Sequence, residues 1–151
     1  YKDPEKTRAV MTEDGWLRTG DIGALDAQGR LSFRGRLKDM LKVGGENVAA
    51  LEIEGLLLTH PAVKMAQVVG APHDRLGEVP AAFIELSDGA HCGEEEIIQF
   101  CRNNIASFKV PRIVRFVEHW PSSATKIQKF KLVELLAHPQ PLNASSETAD
   151  E

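Results

Sequence analysis

The sequence predicts a small α+β domain in which a β-hairpin and a three-stranded sheet are covered by helices. Two observations support this class: short β-branched runs alternate with segments of helical periodicity, and the resulting order of elements is β-β-α-β-β-α-β-α. A third is the composition. With 151 residues, 42% hydrophobic and 26% charged, the chain is long enough for about one domain with one core.

The predicted hairpin lies in the first quarter of the chain. Residues 1–15 are polar and compatible with a helix, and a turn at Gly29 then precedes the alternating strand 31–35. The segment 51–58 has the apolar spacing of a helix, which should end before Pro61 because proline disfavours helical conformation in the residue before it.

Three apolar runs in the second half of the chain predict the sheet. Residues 63–69 and 80–86 are rich in apolar or β-branched side chains and are separated by a Pro-, His-, Asp- and Gly-containing stretch at 70–78. We therefore expect neighbouring strands joined by a loop, and a third strand at 113–117.

Two further helices are predicted to cover this sheet. Acidic residues 94–96 favour a helix N-terminus through attraction to the helix dipole, and apolar positions then recur on one face as far as Ile105. A closing helix is predicted at 130–137. The last residues, 138–151, are rich in Pro, Ser, Asn and acids, which is typical of a disordered tail.

Composition and charge exclude several classes of protein. The net charge of -4 and the pI near 5.8 argue against a nucleic-acid binder. No apolar run approaches the roughly 18 residues that a membrane span requires. Cys92 and Cys101 lack metal-ligand spacing, and we interpret them as reduced packing thiols of an intracellular protein. We expect the histidines to be isolated from one another and from cysteine or carboxylate partners, so no metal site is predicted.

Two stretches concentrate residues suited to ligand binding. In 16–23, glycines flank Asp21, which can accept hydrogen bonds from a sugar diol or can be a surface acid in a turn. In 35–47, charged side chains and the pair Gly44 and Gly45 lie between a strand-like run and a helix. We interpret this second stretch as a hinge and an active-site loop, against the alternative of a tight turn.

Three segments, in this order, resemble motifs of the adenylate-forming enzymes, which comprise acyl- and aryl-CoA synthetases, peptide-synthetase adenylation domains and luciferases. They are WLRTGD at 16–21, GRLKDMLKVGGENV at 35–48 followed by EIE at 52–54, and PSSATKIQK at 121–129. With VGAPHD at 69–74 and GE at 77–78 between them, they extend over nearly the whole chain at the spacing of that family.

The resemblance implies a two-domain enzyme whose active site lies between the domains. It assigns residues 1–37 to the end of a large N-terminal domain and residues 38–137 to the mobile C-terminal domain. The chain begins at Tyr1 and lacks the family's phosphate-gripping loop and carboxylate pocket, so we expect a fragment that is inactive alone and that pairs with the missing N-terminal domain. A cytoplasmic location is expected, or the mitochondrial matrix in a eukaryote.

The resemblance also implies roles in the first half-reaction, in which ATP and a small carboxylic acid form an acyl adenylate. Asp21 matches the ribose-binding acid, and Arg36 matches an arginine that contacts the nucleotide. Lys126 matches the adenylation lysine between the carboxylate and the α-phosphate. The Mg²⁺ that accompanies ATP is expected to be held mainly by the missing domain.

For the second half-reaction, transfer to coenzyme A, the resemblance implies a rotation of the small domain. Lys38 matches the hinge position, where the backbone torsion changes. Lys42 matches a lysine that faces the active site after rotation, and Gly44 and Gly45 match a loop lying against the pantetheine arm.

The third motif departs from the family pattern, and this leaves alternatives open. Thr125 stands where the family has glycine, and the segment is one residue short. Lys126 either still reaches the carboxylate or adenylation is weakened, with Lys129 as a fallback candidate. The preferred function is an acid–thiol ligase acting on a fatty or aromatic acid. The alternatives are an adenylation unit that loads a carrier protein and a degenerate module without catalysis.

Overall fold

A computed structural model describes residues 2–123 and 126–137 of the chain. Thr125, where the third motif departs from the family pattern, and the predicted tail at 138–151 lie outside these described residues. None of the helices in the described part has the length and apolar character required to cross a bilayer.

The elements confirm the predicted α+β class and the predicted order, with additional short strands. The helices are α1 (Pro4–Val10), α2 (Ala50–Leu57), α3 (Glu94–Asn104) and α4 (Lys129–Ala137). Short 3₁₀ turns lie at Leu37–Asp39 and Ser107–Lys109. The strands are β1 (Asp21–Leu25), β2 (Leu31–Arg36), β3 (Met40–Val43), β4 (Glu46–Ala49), β5 (Val63–His73), β6 (Gly77–Leu86), β7 (Ile113–Phe116), β8 (Ser122–Ser123) and β9 (Lys126–Ile127).

The predicted three-stranded sheet is present and is the centre of the fold. Strand β6 pairs with β5 antiparallel along one edge and with β7 in parallel along the other. A second hairpin, β3–β4, extends this sheet through the pairing of Val43 with Gly77, which makes five strands in the order β4-β3-β6-β5 with β7 beside β6. Alternate residues of β6 therefore face opposite sides of the sheet.

Helices cover the sheet, as the sequence predicts, and they lie on both of its sides. On one side α2 and α3 pack Ile53 and Ile97 against Ile84 of β6. On the other side α4 packs Leu132 against Phe83. All five side chains are at most 1% exposed, so the central strand is buried from both directions.

The prediction of a loop at 70–78 is wrong. Strand β5 continues to His73 and β6 begins at Gly77, so only a short turn separates them. The proline and glycine in this stretch suggest a loop when the sequence is considered alone. In the sheet Pro72 lies on β5, which is an edge strand, where the missing N–H group is tolerated.

The stretch 35–47, interpreted from sequence as a hinge and loop, contains regular structure. It holds a 3₁₀ turn, strand β3, and a two-residue turn into β4. Gly44 and Gly45 occupy this turn with φ of +59° and +92°, which are the positive values that both central residues of a tight hairpin turn require. Both glycines therefore have a structural reason that is independent of any ligand.

The first part of the chain contributes no apolar core. Within residues 2–40, Gly35 is the one buried residue that the structure describes. Large apolar side chains of this part are exposed instead, with Trp16 at 73%, Leu31 at 74% and Phe33 at 56%. The hairpin β1–β2 meets the rest of the molecule where Gly35 approaches Leu51 of α2.

A matched pair of glycine substitutions tests the hairpin turn. Gly45→Ala should lower the free energy of unfolding by about 1–2 kcal/mol, because an L side chain disfavours positive φ even where space is open. Gly55→Ala, on the exposed face of α2 with nothing near its Cβ, should raise it by about 0.5–1 kcal/mol. Urea unfolding of the 151-residue chain measures both, and the same sign for the two variants would contradict the assigned conformations.

Candidate functional site

Asp21 and Arg36 are brought together by the register of the first hairpin. They face each other as the first residue of β1 and the last of β2, and Arg36 Nε lies 3.2 Å from Asp21 Oδ1. The Leu37 amide donates to the Gly20 carbonyl at 2.8 Å, which closes the end of this hairpin. The Asp21 carboxylate and the Arg36 guanidinium both remain partly exposed, so both are accessible to a ligand.

A cleft of about 1000 Å³ lies beside this pair. Its walls come from the end of β2, the following 3₁₀ turn, strands β5 and β6, and the β9–α4 junction. Four cationic and two acidic side chains line it, which is an excess of positive charge in a chain of net charge -4. We call it the cationic cleft. Its charged side chains are Arg36, Lys38, Asp39, Glu78, Lys126 and Lys129.

The four cations of the cationic cleft differ in their partners. Arg36 is paired with Asp21, and the Lys129 ammonium lies 2.6 Å from Glu54 Oε1. Lys38 and Lys126, by contrast, have no carboxylate within 4 Å in the part of the chain that the structure describes. These two ammonium groups are the ones available to an anionic ligand.

Lys126 is held on a short hairpin at the rim of the cleft. Its strand β9 pairs with β8 through Ser123, and the Gln128 amide donates to the Pro121 carbonyl at 2.8 Å. The side chain of Lys126 is exposed. The structure thus places the predicted adenylation lysine in one cleft with the predicted nucleotide arginine, 90 residues apart in sequence.

Lys129, the fallback candidate, has a different environment. Its ammonium donates to Glu54 at 2.6 Å and to the Val68 carbonyl at 3.2 Å, and its side chain is only 24% exposed. The positive charge of Lys129 is therefore compensated by a carboxylate of the protein itself. Lys129 thus has a carboxylate partner in the protein, whereas Lys126 has none among the described residues.

The predicted thiol-side residues lie outside the cationic cleft. The Lys42 ammonium donates to Asn47 Oδ1 across the β3–β4 hairpin, and the Lys42 amide donates to Glu78 Oε2 at 2.8 Å. Gly44 donates its amide to the Leu76 carbonyl at 2.8 Å. The structure therefore separates Lys42, Gly44 and Gly45 from Arg36 and Lys126.

Sequence reasoning included Glu54 in the EIE motif but gave it no role. Glu54 lines a neighbouring cavity together with Arg36 and Lys129. A signal was present in the helical spacing of the segment. Ala50, Ile53, Glu54 and Leu57 are the buried positions of α2, with a spacing of i, i+3, i+4 and i+7. A carboxylate on such an apolar stripe requires a buried partner, but sequence cannot say which lysine supplies it.

The expectation that every histidine is remote from cysteine and carboxylate is wrong for His60. Its ring lies beside Cys92 and Glu96, with ligand-type atoms within 4.8 Å of one another. The Ala62 amide donates to Nδ1 at 3.2 Å, so a neutral ring carries its proton on Nε2, which faces Glu96 at 3.9 Å. In this arrangement neither nitrogen is free to coordinate a metal ion.

Both thiols have the environment of packing residues. Burial raises the pKa of Cys101 to about 11, and burial together with Glu96 raises the pKa of Cys92 to about 11. Since the thiolate is the reactive form, these cysteines are poor nucleophiles near neutral pH.

Comparison with known proteins identifies the family. Residues 52–126 match the family described as AMP-binding enzyme C-terminal domain. The putative acyl-CoA synthetase YngI of Bacillus subtilis is 47% identical over 135 residues, which are 89% of this chain and 25% of the relative. The mitochondrial medium-chain acyl-CoA ligase ACSF2 of Danio rerio is also 47% identical, over 89% of this chain and 22% of its own length. The chain thus spans about a quarter of these curated relatives.

A solved structure agrees with these relatives. The crystal structure of ATP-bound MatB from Rhodopseudomonas palustris superposes with a TM-score of 0.85 at 34% identity, covering 92% of this chain and 28% of MatB. The apo form of MatB superposes with a TM-score of 0.70 over the same 92% of this chain. The two forms share one sequence identity to this chain, and the chain superposes more closely on the ATP-bound form. By sequence and by fold, this chain belongs to the family of adenylate-forming enzymes, and its residues 52–126 match their C-terminal domain.

Proposed function

We propose that this chain is the C-terminal part of an AMP-forming acid–thiol ligase. The whole enzyme would activate a fatty or aromatic carboxylic acid as an acyl adenylate and transfer the acyl group to coenzyme A. The observation that carries the proposal is the position of Lys126, whose ammonium lines the same cleft as Arg36 and has no carboxylate partner among the described residues.

Lys126 suits the chemistry of the first half-reaction. A carboxylate oxygen attacks the α-phosphorus of ATP, the bond to pyrophosphate breaks, and negative charge builds on the phosphoryl oxygens. Two anions must approach each other, so a point cation between them lowers the barrier. An ammonium already neutralised by a protein carboxylate, such as that of Lys129, would do this less well.

Asp21 and Arg36 suit the nucleotide. One carboxylate can accept hydrogen bonds from both ribose hydroxyls, and a guanidinium donates several hydrogen bonds in one plane. Their mutual contact of 3.2 Å orients both side chains toward one side of the hairpin end. In this proposal the ion pair holds the two groups ready for the nucleotide.

The second half-reaction is proposed to use the other face of the small domain. In this step the thiolate of coenzyme A attacks the acyl carbonyl and AMP leaves, so the coenzyme A arm must reach that carbonyl. Rotation at Lys38 would withdraw Lys126 and present Lys42 with the Gly44–Gly45 turn. The separation of these two residue sets in the structure is the arrangement that such an exchange requires.

We further propose that residues 1–37 belong to a larger preceding domain and that residues 38–137 move as the mobile domain. The first part has exposed Trp16, Leu31 and Phe33 and no buried apolar side chain, which supports contact with additional protein. The 3₁₀ turn at Leu37–Asp39 lies between β2 and β3, which supports Lys38 as the proposed hinge.

The Mg²⁺ that would accompany ATP takes oxygen ligands, so the carboxylates of the cationic cleft are the groups to consider. The acids of the cationic cleft are Asp39 and Glu78, and Glu78 already accepts the Lys42 amide. We assign no magnesium ligand to this chain and expect the preceding domain to hold the ion. A cytoplasmic location, or the mitochondrial matrix as for the zebrafish relative, is also part of the proposal.

Two other functions remain as outcomes of experiment. A carrier-protein-loading enzyme would use the same first half-reaction with a different thiol. A module without catalysis would follow if the shortened segment before Lys126 prevents the lysine from reaching the carboxylate. Pyrophosphate release by the full-length protein, with coenzyme A or a carrier protein as acceptor, separates all three.

The role of Lys126 is tested by Lys126→Ala in the full-length protein. Adenylation should fall by about 100-fold or more, because an electrostatic contact made at the transition state is lost. Conversion of a supplied acyl adenylate to the thioester should stay near the wild-type rate. Lys131→Ala, on the exposed side of α4, is the matched control and should leave both rates unchanged. Equal loss of both half-reactions would contradict the assignment.

The hinge role of Lys38 is tested by Lys38→Pro. Proline fixes φ, so it should spare adenylation in the present arrangement and slow thioester formation, which requires a torsion change. Lys38→Ala should leave both steps close to wild type, since the role is assigned to the backbone. Single-turnover measurement of each half-reaction decides, and an unchanged thioester rate in Lys38→Pro would refute the hinge.

The 151-residue chain alone should not form a thioester from ATP, coenzyme A and a panel of carboxylic acids. The physical reason is that the proposal assigns phosphate and acid binding to the preceding domain. Thin-layer or mass-spectrometric detection of acyl-CoA provides the measurement, with the full-length protein as positive control. Formation of acyl-CoA by the pure chain would contradict the proposal that the preceding domain is required.

A further inference from the structure

Glu54 forms a buried junction between three elements. Its residue is 6% exposed, and its Oε1 accepts the Val68 amide at 2.8 Å and the Lys129 ammonium at 2.6 Å. Lys129 also donates to the Val68 carbonyl at 3.2 Å. Helix α2, strand β5 and the start of helix α4 therefore meet at one ion pair.

The junction supplies hydrogen-bond partners for backbone groups at an edge of the sheet. Strand β5 lies at the end of the sheet, and at Val68 its amide and carbonyl are bonded by Glu54 and Lys129. Buried backbone groups without such partners would destabilise the folded state. Lys129 is thus held beside one residue of β5, Val68, as well as beside a negative charge.

This anchor lies very close to Lys126 along the chain. Three residues of extended backbone span at most about 10 Å, so fixing Lys129 limits where the Lys126 hairpin can lie. On the other side, the Gln128 amide donates to the Pro121 carbonyl and closes the same hairpin. The two contacts together set the position of β9 relative to the cationic cleft.

We propose that Glu54 is a positioning residue for adenylation: through its ion pair with Lys129 it holds the Lys126 hairpin against β5, so that the Lys126 ammonium lies in the cationic cleft beside Arg36. The inference rests on the proposed function of Lys126. It adds a residue on α2 that touches no substrate and that acts through Lys129.

The pair also separates the two lysines electrostatically. With Glu54 present, the Lys129 charge is neutralised inside the protein, and Lys126 is left as the available cation of the β9–α4 junction. Without Glu54, Lys129 would lose its buried partner and would turn toward water or toward the ligand phosphates. Both changes would move the start of α4 and hence the hairpin.

The test is Glu54→Gln in the full-length protein, which preserves shape and removes the charge. The rate constant kcat of adenylation should fall by about 10- to 100-fold with smaller changes in the KM for ATP and acid, because misplacement of a reacting group by about 1 Å can have such an effect. Thioester formation from a supplied acyl adenylate should change by less than about twofold. Lys129→Met should lower the adenylation kcat as Glu54→Gln does. Lys129→Arg should keep much of the wild-type kcat.

Glu52→Gln is the matched control. Glu52 lies on the same helix and has a lysine partner at the same distance, 2.6 Å, but that partner is Lys109, which is not connected to β9. This variant should leave both half-reactions unchanged. A fall in adenylation equal to that of Glu54→Gln would show that any ion pair of α2 matters, and would overturn the proposal.

Hydrogen exchange of the 151-residue chain supplies a readout that does not depend on catalysis. Glu54→Gln should speed exchange at the amides of 126–128, and Glu52→Gln should not. If Lys126→Ala abolishes adenylation while Glu54→Gln changes neither exchange nor kcat, the positioning role is refuted and the proposed function stands. If Lys126→Ala has no effect on adenylation, the proposed function fails, and with it the catalytic purpose of the junction.

Discussion

A carboxylate that is buried on an apolar helix face places a strong constraint on this molecule. Glu54 cannot remain charged at 6% exposure unless donors surround it, because desolvation of an isolated carboxylate is far more costly than most single contacts are stabilising. The chain supplies two donors, the Val68 amide and the Lys129 ammonium. Helix α4 must therefore begin at a defined place beside β5, and the hairpin that carries Lys126 is positioned with it.

The charges of the cationic cleft follow from the same arrangement. Two of its cations are already neutralised by carboxylates of the chain, and Lys38 and Lys126 are the ones without such a partner among the described residues. A site that binds ATP and a carboxylate needs cations whose charge is available to the ligand. The pattern of pairing, more than the number of basic residues, supports the proposed division between structural and substrate-binding lysines.

The segment 35–47 combines several physical tasks in a short length of chain. Arg36 ends β2 opposite Asp21, the 3₁₀ turn around Lys38 follows, and β3 then joins the central sheet at Val43. The turn at Gly44 and Gly45 exists for backbone reasons, since both residues have positive φ. Binding of the coenzyme A arm at this turn stays a prediction, and the conformational requirement alone explains the pair of glycines.

The sequence by itself was sufficient for the fold class, the order of the main elements and the family, because these depend on local periodicity and on motifs whose spacing is visible along the chain. It identified Asp21, Arg36, Lys38 and Lys126 as candidates, and the structure gathers three of them, Arg36, Lys38 and Lys126, around one cleft. It failed at 70–78, where local loop signals were overridden by pairing with a distant partner strand. Only the tertiary structure could show that Lys129 is bound to Glu54 and that His60 lies beside Cys92, because each is a contact between residues remote in sequence and no periodicity records it.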